Sequence, residues 1–449
     1  MPEQPPAAGT DRPDPTRPRR SNSVQVTVAG TERRPMPRTL RLAVVALTAV
    51  LAAATVLAMV RLVDGRAGAE SGPPPAALDA RSVTPPATPI QATVPGSTRL
   101  ALLGPLVLLD TQGTGGVQPG AEATVPLPVL PPDSTAVLLE VSLLAATGPG
   151  AVTVGSATAE IPVLRLPAAG TSLTATVVVP VGRDADLRVR TEGGGHLLVN
   201  LVGAFEPVET ATAGRLVPVP ATEVLHLVPD TDGKEATIDL AGVPVLPEDD
   251  SVSAVLLHIS ADVGSNGGYV AVGGSGELDQ QFYWTPTSGD DRTRVGLLVV
   301  PVAGGSVDLR YQAGSELTAS LVGYVTDGTA PPAVAGLVVP VPPEPVEPVR
   351  VPAGEPVDVA VIPPGGIGQV PADRVAAVLL GITATGDAAG GVSVHRPGSA
   401  APAVPTLAAA AGGPRATLTL VETVDGQARV AAEVGASVSL APQALVLGE

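Results

Sequence analysis

Residues 136–154 read AVLLEVSLLAATGPGAVTV. Ala136-Val137-Leu138-Leu139 opens an aliphatic run, Gly148-Pro149-Gly150 turns the chain, and Gly150, Val152 and Val154 follow as Gly-x-Val-x-Val. Short aliphatic runs bounded by Gly and Pro predict β-strands. The passage recurs twice. Ala254-Val255-Leu256-Leu257 precedes Gly268, Val270 and Val272, and Ala377-Val378-Leu379-Leu380 precedes Gly390, Val392 and Val394. The first two copies share more: Asp110-Thr111 with Asp230-Thr231, residues 177–181 (VVVPV) with 298–302 (LVVPV), and Leu201-Val202-Gly203 with Leu321-Val322-Gly323. A period of about 120 residues is the size of a whole domain and too long for one solenoid or propeller unit.

The sequence therefore predicts an all-β protein. Three tandem antiparallel β-sandwich domains, jelly-roll or immunoglobulin-like, are expected at residues 98–208, 214–328 and 336–449. Strand patterns restart after Ala213 and Ala335, which predicts three independent folding units. Aromatic residues are only 2% of the chain, so Ala, Val and Leu must fill the cores. A single lysine, Lys234, beside 25 arginines, with 51 Gly and 50 Pro, points to a GC-rich genome. Cysteine is absent, which excludes disulfides, thiol catalysis and cysteine metal sites.

Residues 42–60 (LAVVALTAVLAAATVLAMV), beginning at Leu42 and ending at Val60, carry no charge and lie between Arg41 and Arg61. As a helix this stretch is about 28 Å long, close to the hydrocarbon thickness of a bilayer. A transmembrane signal-anchor helix is expected over residues 40–63, behind a disordered tail at 1–39. Eight arginines and four acids ahead of the apolar run keep the N-terminus cytoplasmic and send the repeats outside the cell membrane. A cleaved signal peptide is the competing reading, with Ala67-Gly68-Ala69 as the site, but nineteen apolar residues behind a long tail exceed an ordinary signal core. Residues 64–97 hold seven prolines and read as a stiff spacer.

Beyond the tail there are 18 basic and 39 acidic residues, a net charge of about −21. An acidic ectodomain repels nucleic acid, so no nucleic-acid partner is expected.

Residues 107–120 (VLLDTQGTGGVQPG), the AVLL and Gly-x-Val-x-Val strands and the closing HLLVNLVGAF at 196–205 resemble tandem β-repeats of exported actinobacterial cell-envelope proteins. Those repeats open on Leu-Asp-Thr-Arg-Gly and close on Val-Gly-Tyr-Phe. Here Gln112 replaces the arginine, Gly203-Ala204-Phe205 and Gly323-Tyr324-Val325 approximate the closing motif, and the third copy has lost both ends. The resemblance covers scaffold residues and implies a fold and a compartment, with no activity attached.

Chemical motifs are sparse. No phosphate-binding loop surrounds Lys234, and Gly273-Gly274-Ser275-Gly276 is not a nucleophile elbow. His196, His226, His258 and His395 have no metal-ligand spacing and read as strand-face residues. The acid pairs Asp230/Asp232, Asp249/Asp250 and Asp290/Asp291 lack the further oxygen ligands of a calcium loop and read as solvated turns. No cofactor and no metal is expected. Six of the seven aromatic residues fall in the second repeat, and Phe282, Tyr283 and Trp284 are consecutive. This run is the candidate binding site, set against the plainer reading that the second core uses aromatics where its sisters use Val and Leu.

Together these readings predict a single-pass, membrane-anchored, extracellular binding or scaffolding module, non-enzymatic, whose partner is cell-wall polysaccharide or an envelope protein. Two other readings stay open: a divergent cell-wall hydrolase with carboxylates drawn from different repeats, and an accessory subunit of a membrane complex.

Overall fold

The computed structural model describes residues 94–449 except 157–159, 183–185, 229–233, 248–250, 263–267, 275–279, 285–291 and 312–315. The tail, the apolar span from Leu42 to Val60, most of the spacer and the three acid pairs lie outside the described residues. Among the described residues no helix is long and apolar enough to cross a membrane.

The fold is all-β. In the first repeat β1 (Thr98–Asp110), β2 (Glu122–Val125), β3 (Ala136–Leu144) and β4 (Gly150–Gly155) are followed by β5 (Glu160–Leu166), β6 (Leu173–Pro180), β7 (Leu187–Thr191) and β8 (His196–Pro207). The second contains β9 (Leu216–Leu227), β10 (Lys234–Asp239), β11 (Val252–Asp262), β12 (Gly268–Gly273), β13 (Gln280–Trp284), β14 (Thr293–Pro301), β15 (Ser306–Tyr311) and β16 (Glu316–Thr326). In the third the first strand is split into β17 (Val338–Pro340) and β18 (Val349–Val351). Then come β19 (Val357–Ala360), β20 (Val375–Gly386), β21 (Gly390–His395), β22 (Leu407–Ala409), β23 (Arg415–Glu422), β24 (Gln427–Ala432) and β25 (Ala436–Leu447).

Pairing is antiparallel and identical in plan. In every repeat strands one, eight, three and six form an inner sheet (β1-β8-β3-β6, β9-β16-β11-β14, and β17/β18-β25-β20-β23). Strands two, seven, four and five form an outer sheet (β2-β7-β4-β5, β10-β15-β12-β13, β19-β24-β21-β22). That is the strand order of a jelly roll. Each pair of sheets encloses its own aliphatic core.

A fourth core lies between the repeats. Ala136 and Leu138, Ala254 and Leu256, and Ala377 and Leu379 all belong to it. Their neighbours Val137 and Leu139, Val255 and Leu257, and Val378 and Leu380 point the other way, into the three separate cores. The AVLL run is therefore continuous, not alternating, because its strand is covered on both faces. Phe205, Val325 and Val446, each cross-strand from that leading alanine, also enter the shared core. Each repeat thus keeps its own core and also shares one with the other two, which the expectation of three independent folding units does not include.

The repeated Leu-Val-Gly is a β-bulge. Leu138 pairs with Gly203 and Leu139 with Leu201, so Val202 is extra; Leu256/Leu257 skip Val322, and Leu379/Leu380 skip Gln443. Val202 and Val322 fill the shared core. Glycine follows the bulge because the neighbours come close: a Cβ on Gly203 would lie 2.8 Å from the Ala101 carbonyl, and one on Gly323 2.6 Å from a Leu420 methyl. Gln443 instead reaches across to the first repeat, where its Oε1 accepts the Val178 backbone N–H at 2.9 Å.

The connecting segments are also tied together. Ala211 and Ala333 exchange backbone hydrogen bonds of 3.1 and 3.0 Å, and the Thr326 hydroxyl donates to the Thr212 carbonyl at 2.8 Å. Thr98 pairs with Val338, and Leu173 with Trp284, which joins sheets of different repeats edge to edge.

Gly381 supplies a test of this packing. A Cβ there would stand 2.7 Å from the Gln443 Nε2 and push the amide off Val178. Gly381→Ala is expected to cost about 1–2 kcal/mol, the value of one buried hydrogen bond left open. Gln443→Ala should cost a similar amount, and the double variant should be far from additive in thermal melts; full additivity would disconnect the two positions.

Candidate functional site: polar repeat junctions and two cavities

The residue after AVLL is Glu140 in the first repeat, His258 in the second and Gly381 in the third. Glu140 and His258 are buried where the inner sheets meet. Asn200 Nδ2 donates to Glu140 Oε1 at 3.1 Å, and the Gln281 backbone N–H of the second repeat donates to the same carboxyl. Glu140 Oε2 and Asn200 Oδ1 have no hydrogen-bond partner among the described residues. Burial pushes the Glu140 carboxyl up to about 7, partly offset by those two donors. Protonation makes the carboxyl a donor as well as an acceptor. Beside it the Thr176 hydroxyl donates to the Leu297 carbonyl at 2.6 Å, and the Tyr283 backbone N–H donates to Thr174 Oγ1 at 3.0 Å.

His258 Nε2 lies 3.0 Å from the Thr419 hydroxyl of the third repeat. Burial holds its pKa down at about 4, so the ring is neutral at physiological pH. Each junction between repeats therefore carries its own polar contact: Glu140 and Thr176 between first and second, His258–Thr419 between second and third, Gln443–Val178 between third and first.

The aromatic run divides between two environments. Phe282 is 2% exposed and packs in the core of the second repeat. Gly296 makes room for it, since a Cβ there would sit 2.2 Å from the ring. Tyr283 is half-buried toward the first repeat, with its ring 6.2 Å from that of Tyr269. The backbone of Trp284 pairs with Leu173, and its side chain lies outside the described residues.

Two larger cavities stand out among the described residues. The first, about 750 Å³, lies in the third repeat, where the first inner strand breaks between β17 and β18. Six prolines line it, Pro95, Pro340, Pro342, Pro345, Pro363 and Pro442, together with Val and Ile side chains; Glu344 is its one charged lining residue. Its walls are fixed by backbone bonds, Val341 to Gln443 and Val346 to Leu440 on one side, and the reciprocal Ile367–Val370 pair on the other. Gly366 takes φ +84°, and a Cβ would lie 2.0 Å from the Val370 carbonyl, so this turn needs glycine.

The second, about 390 Å³, opens between the second and third repeats and brings His258 and His395 to one cavity, with Thr406, Thr419 and Glu422. His395 Nδ1 is 3.1 Å from the Ser399 hydroxyl, and burial lowers its pKa. No cluster of three or more His, Cys, Asp or Glu able to hold a metal occurs among the described residues.

No family model and no curated protein matches the chain. Two solved structures align over most of its length. One comes from work on the triple jelly roll fold and turret assembly in an archaeal virus; the alignment covers 79% of this chain and 90% of that one, at 10% identity and a TM-score of 0.18. The other is from the atomic structure of Sulfolobus Turreted Icosahedral Virus, with 79% and 91% coverage, 11% identity and a TM-score of 0.17. Superpositions this loose carry no argument about what the chain does.

Sequence reasoning missed both cavities and the meeting of His258 with His395. One signal was present: a Glu and a His at the same offset after AVLL continue a doubly covered strand, and a polar residue there must find a partner in a neighbouring repeat.

Proposed function

We propose that the chain is a non-enzymatic binding or scaffolding module of the cell envelope, held at the membrane by the apolar segment from Leu42 to Val60, with its jelly rolls outside. The observation that carries this reading is the shared core: four aliphatic cores and three polar junctions make the repeats one rigid body, on which the proline-lined cleft is preorganised. A preformed apolar cleft loses little freedom on binding. The hydrolase reading needs two carboxylates about 5 to 9 Å apart across a cleft. Among the described residues Glu344 is the one carboxylate lining the larger cavity and Glu422 the one lining the smaller, so neither cavity brings such a pair together there.

Two measurements test the proposal. Protease added to intact protoplasts should destroy residues 94–449 and leave a small membrane-held N-terminal fragment; protection of the repeats would reverse the topology. Detergent-solubilised chain should sediment with isolated cell wall or with envelope protein. A chain that stays in the supernatant with both, or that releases soluble sugar from wall, would sink the module reading.

A further inference from the structure

The cleft of the third repeat has a chemistry that selects its occupant, and the following rests on the binding-module reading above. Proline rings present rigid apolar faces edged with weakly positive C–H groups, and the faces of aromatic rings are weakly negative. Polyproline segments are recognised elsewhere by aromatic-lined grooves through this match. Here the sides are exchanged: the prolines form the groove. The exposed Glu344 stands in the lining, Glu347 follows three residues on, and no basic residue lines the cleft. The ectodomain as a whole is strongly acidic. Few aromatic residues exist in this chain to fill such a groove, and none precedes Phe205.

We propose that the proline-lined cleft between residues 339–346 and 361–370 docks a protein partner through an aromatic side chain flanked by basic residues. The ring lies against the prolines and valines, and the flanking cation pairs with Glu344. Neutral apolar ligands and the chain's own proline-rich spacer are the competing occupants.

Fluorescently labelled acetyl-Arg-Trp-Arg-amide, titrated against the full-length chain in detergent and read by anisotropy, tests this. Expected is saturable binding, with acetyl-Arg-Leu-Arg-amide and acetyl-Glu-Trp-Glu-amide each at least about tenfold weaker, as one lost anchor or one reversed charge pair would give. Glu344→Arg should erase the preference for the basic peptide over the acidic one. Gln369→Trp changes an exposed lining residue outside the core, and its ring should fill the cleft and abolish binding with an unchanged melting temperature. Equal binding of the Leu and Trp peptides, binding that survives Gln369→Trp, or no binding of the Trp peptide up to millimolar concentration would each overturn the proposal. The module reading is decided separately, because wall sedimentation needs no peptide.

Discussion

Repeat 2 expressed alone as residues 214–328 is expected to lack a cooperative thermal melt and to bind a hydrophobic dye at room temperature, whereas residues 94–449 should melt in one transition. Excision strips the shared core from one side. Leu216, Ala254, Leu256, Leu297, Val299, Val322 and Val325 all lose their partners in the other two repeats. At roughly 1.5–3 kcal/mol for each large aliphatic side chain returned to water, the loss is on the order of 10 kcal/mol. Small domains hold only about 5–15 kcal/mol in total. His258 also loses Thr419, and the Leu297 carbonyl loses Thr176. A sharp, dye-free melt of the isolated repeat would show that its own core suffices.

Stability should also respond to pH through two opposed buried groups, which single substitutions will separate. Glu140 has a folded pKa raised to about 7 from 4.5, so the native state holds its proton longer than the unfolded chain does. Its penalty is absent below about pH 4.5, grows as pH rises, and is complete above pH 7, at roughly 3 kcal/mol. His258 has a folded pKa lowered to about 4 from 6.5, so its penalty is absent above pH 6.5 and complete below pH 4, at a similar size. Between these limits the two slopes cancel, and the wild type should show little net dependence from this pair. Glu140→Gln imitates the protonated acid. Its melting temperature should match wild type near pH 4 and exceed it by several degrees at pH 8. His258→Gln should depart in the opposite direction, gaining on wild type as pH falls toward 4. A Glu140→Gln advantage that is constant with pH would remove ionisation from the explanation.

The strands were legible because AVLL, Gly-x-Val-x-Val and their bounding turns are local patterns. The arrangement of the repeats was not, although the clue lay in the same four letters. An antiparallel strand with one wet face alternates, and Ala136-Val137-Leu138-Leu139 does not. Missing alternation called for a second covering layer, and a copy of the same run in each repeat identified what that layer was. The loss of the closing motif in the third copy was equally misleading: Pro442-Gln443-Ala444 keeps the bulge of Leu201-Val202-Gly203 with different chemistry, because the backbone irregularity and its filler matter more than residue identity. The cavities had no local signature at all. The larger one depends on prolines that interrupt an inner strand, and from sequence such prolines look like a linker.

Val94 packs in the core of the third repeat, yet four residues later Thr98 begins the first strand of the first. A tension applied along the chain from its N-terminal side therefore meets repeat 3 before it loads β1. The load then reaches β1 at Thr98, which pairs with Val338, itself paired with Val446 near the other end of the chain, so the pull runs across the strands and passes directly into the sheet of repeat 3. Pulled in an optical trap between its two ends, the three jelly rolls should yield in a single rip because they share a core, in contrast to the sawtooth of a chain of separate beads.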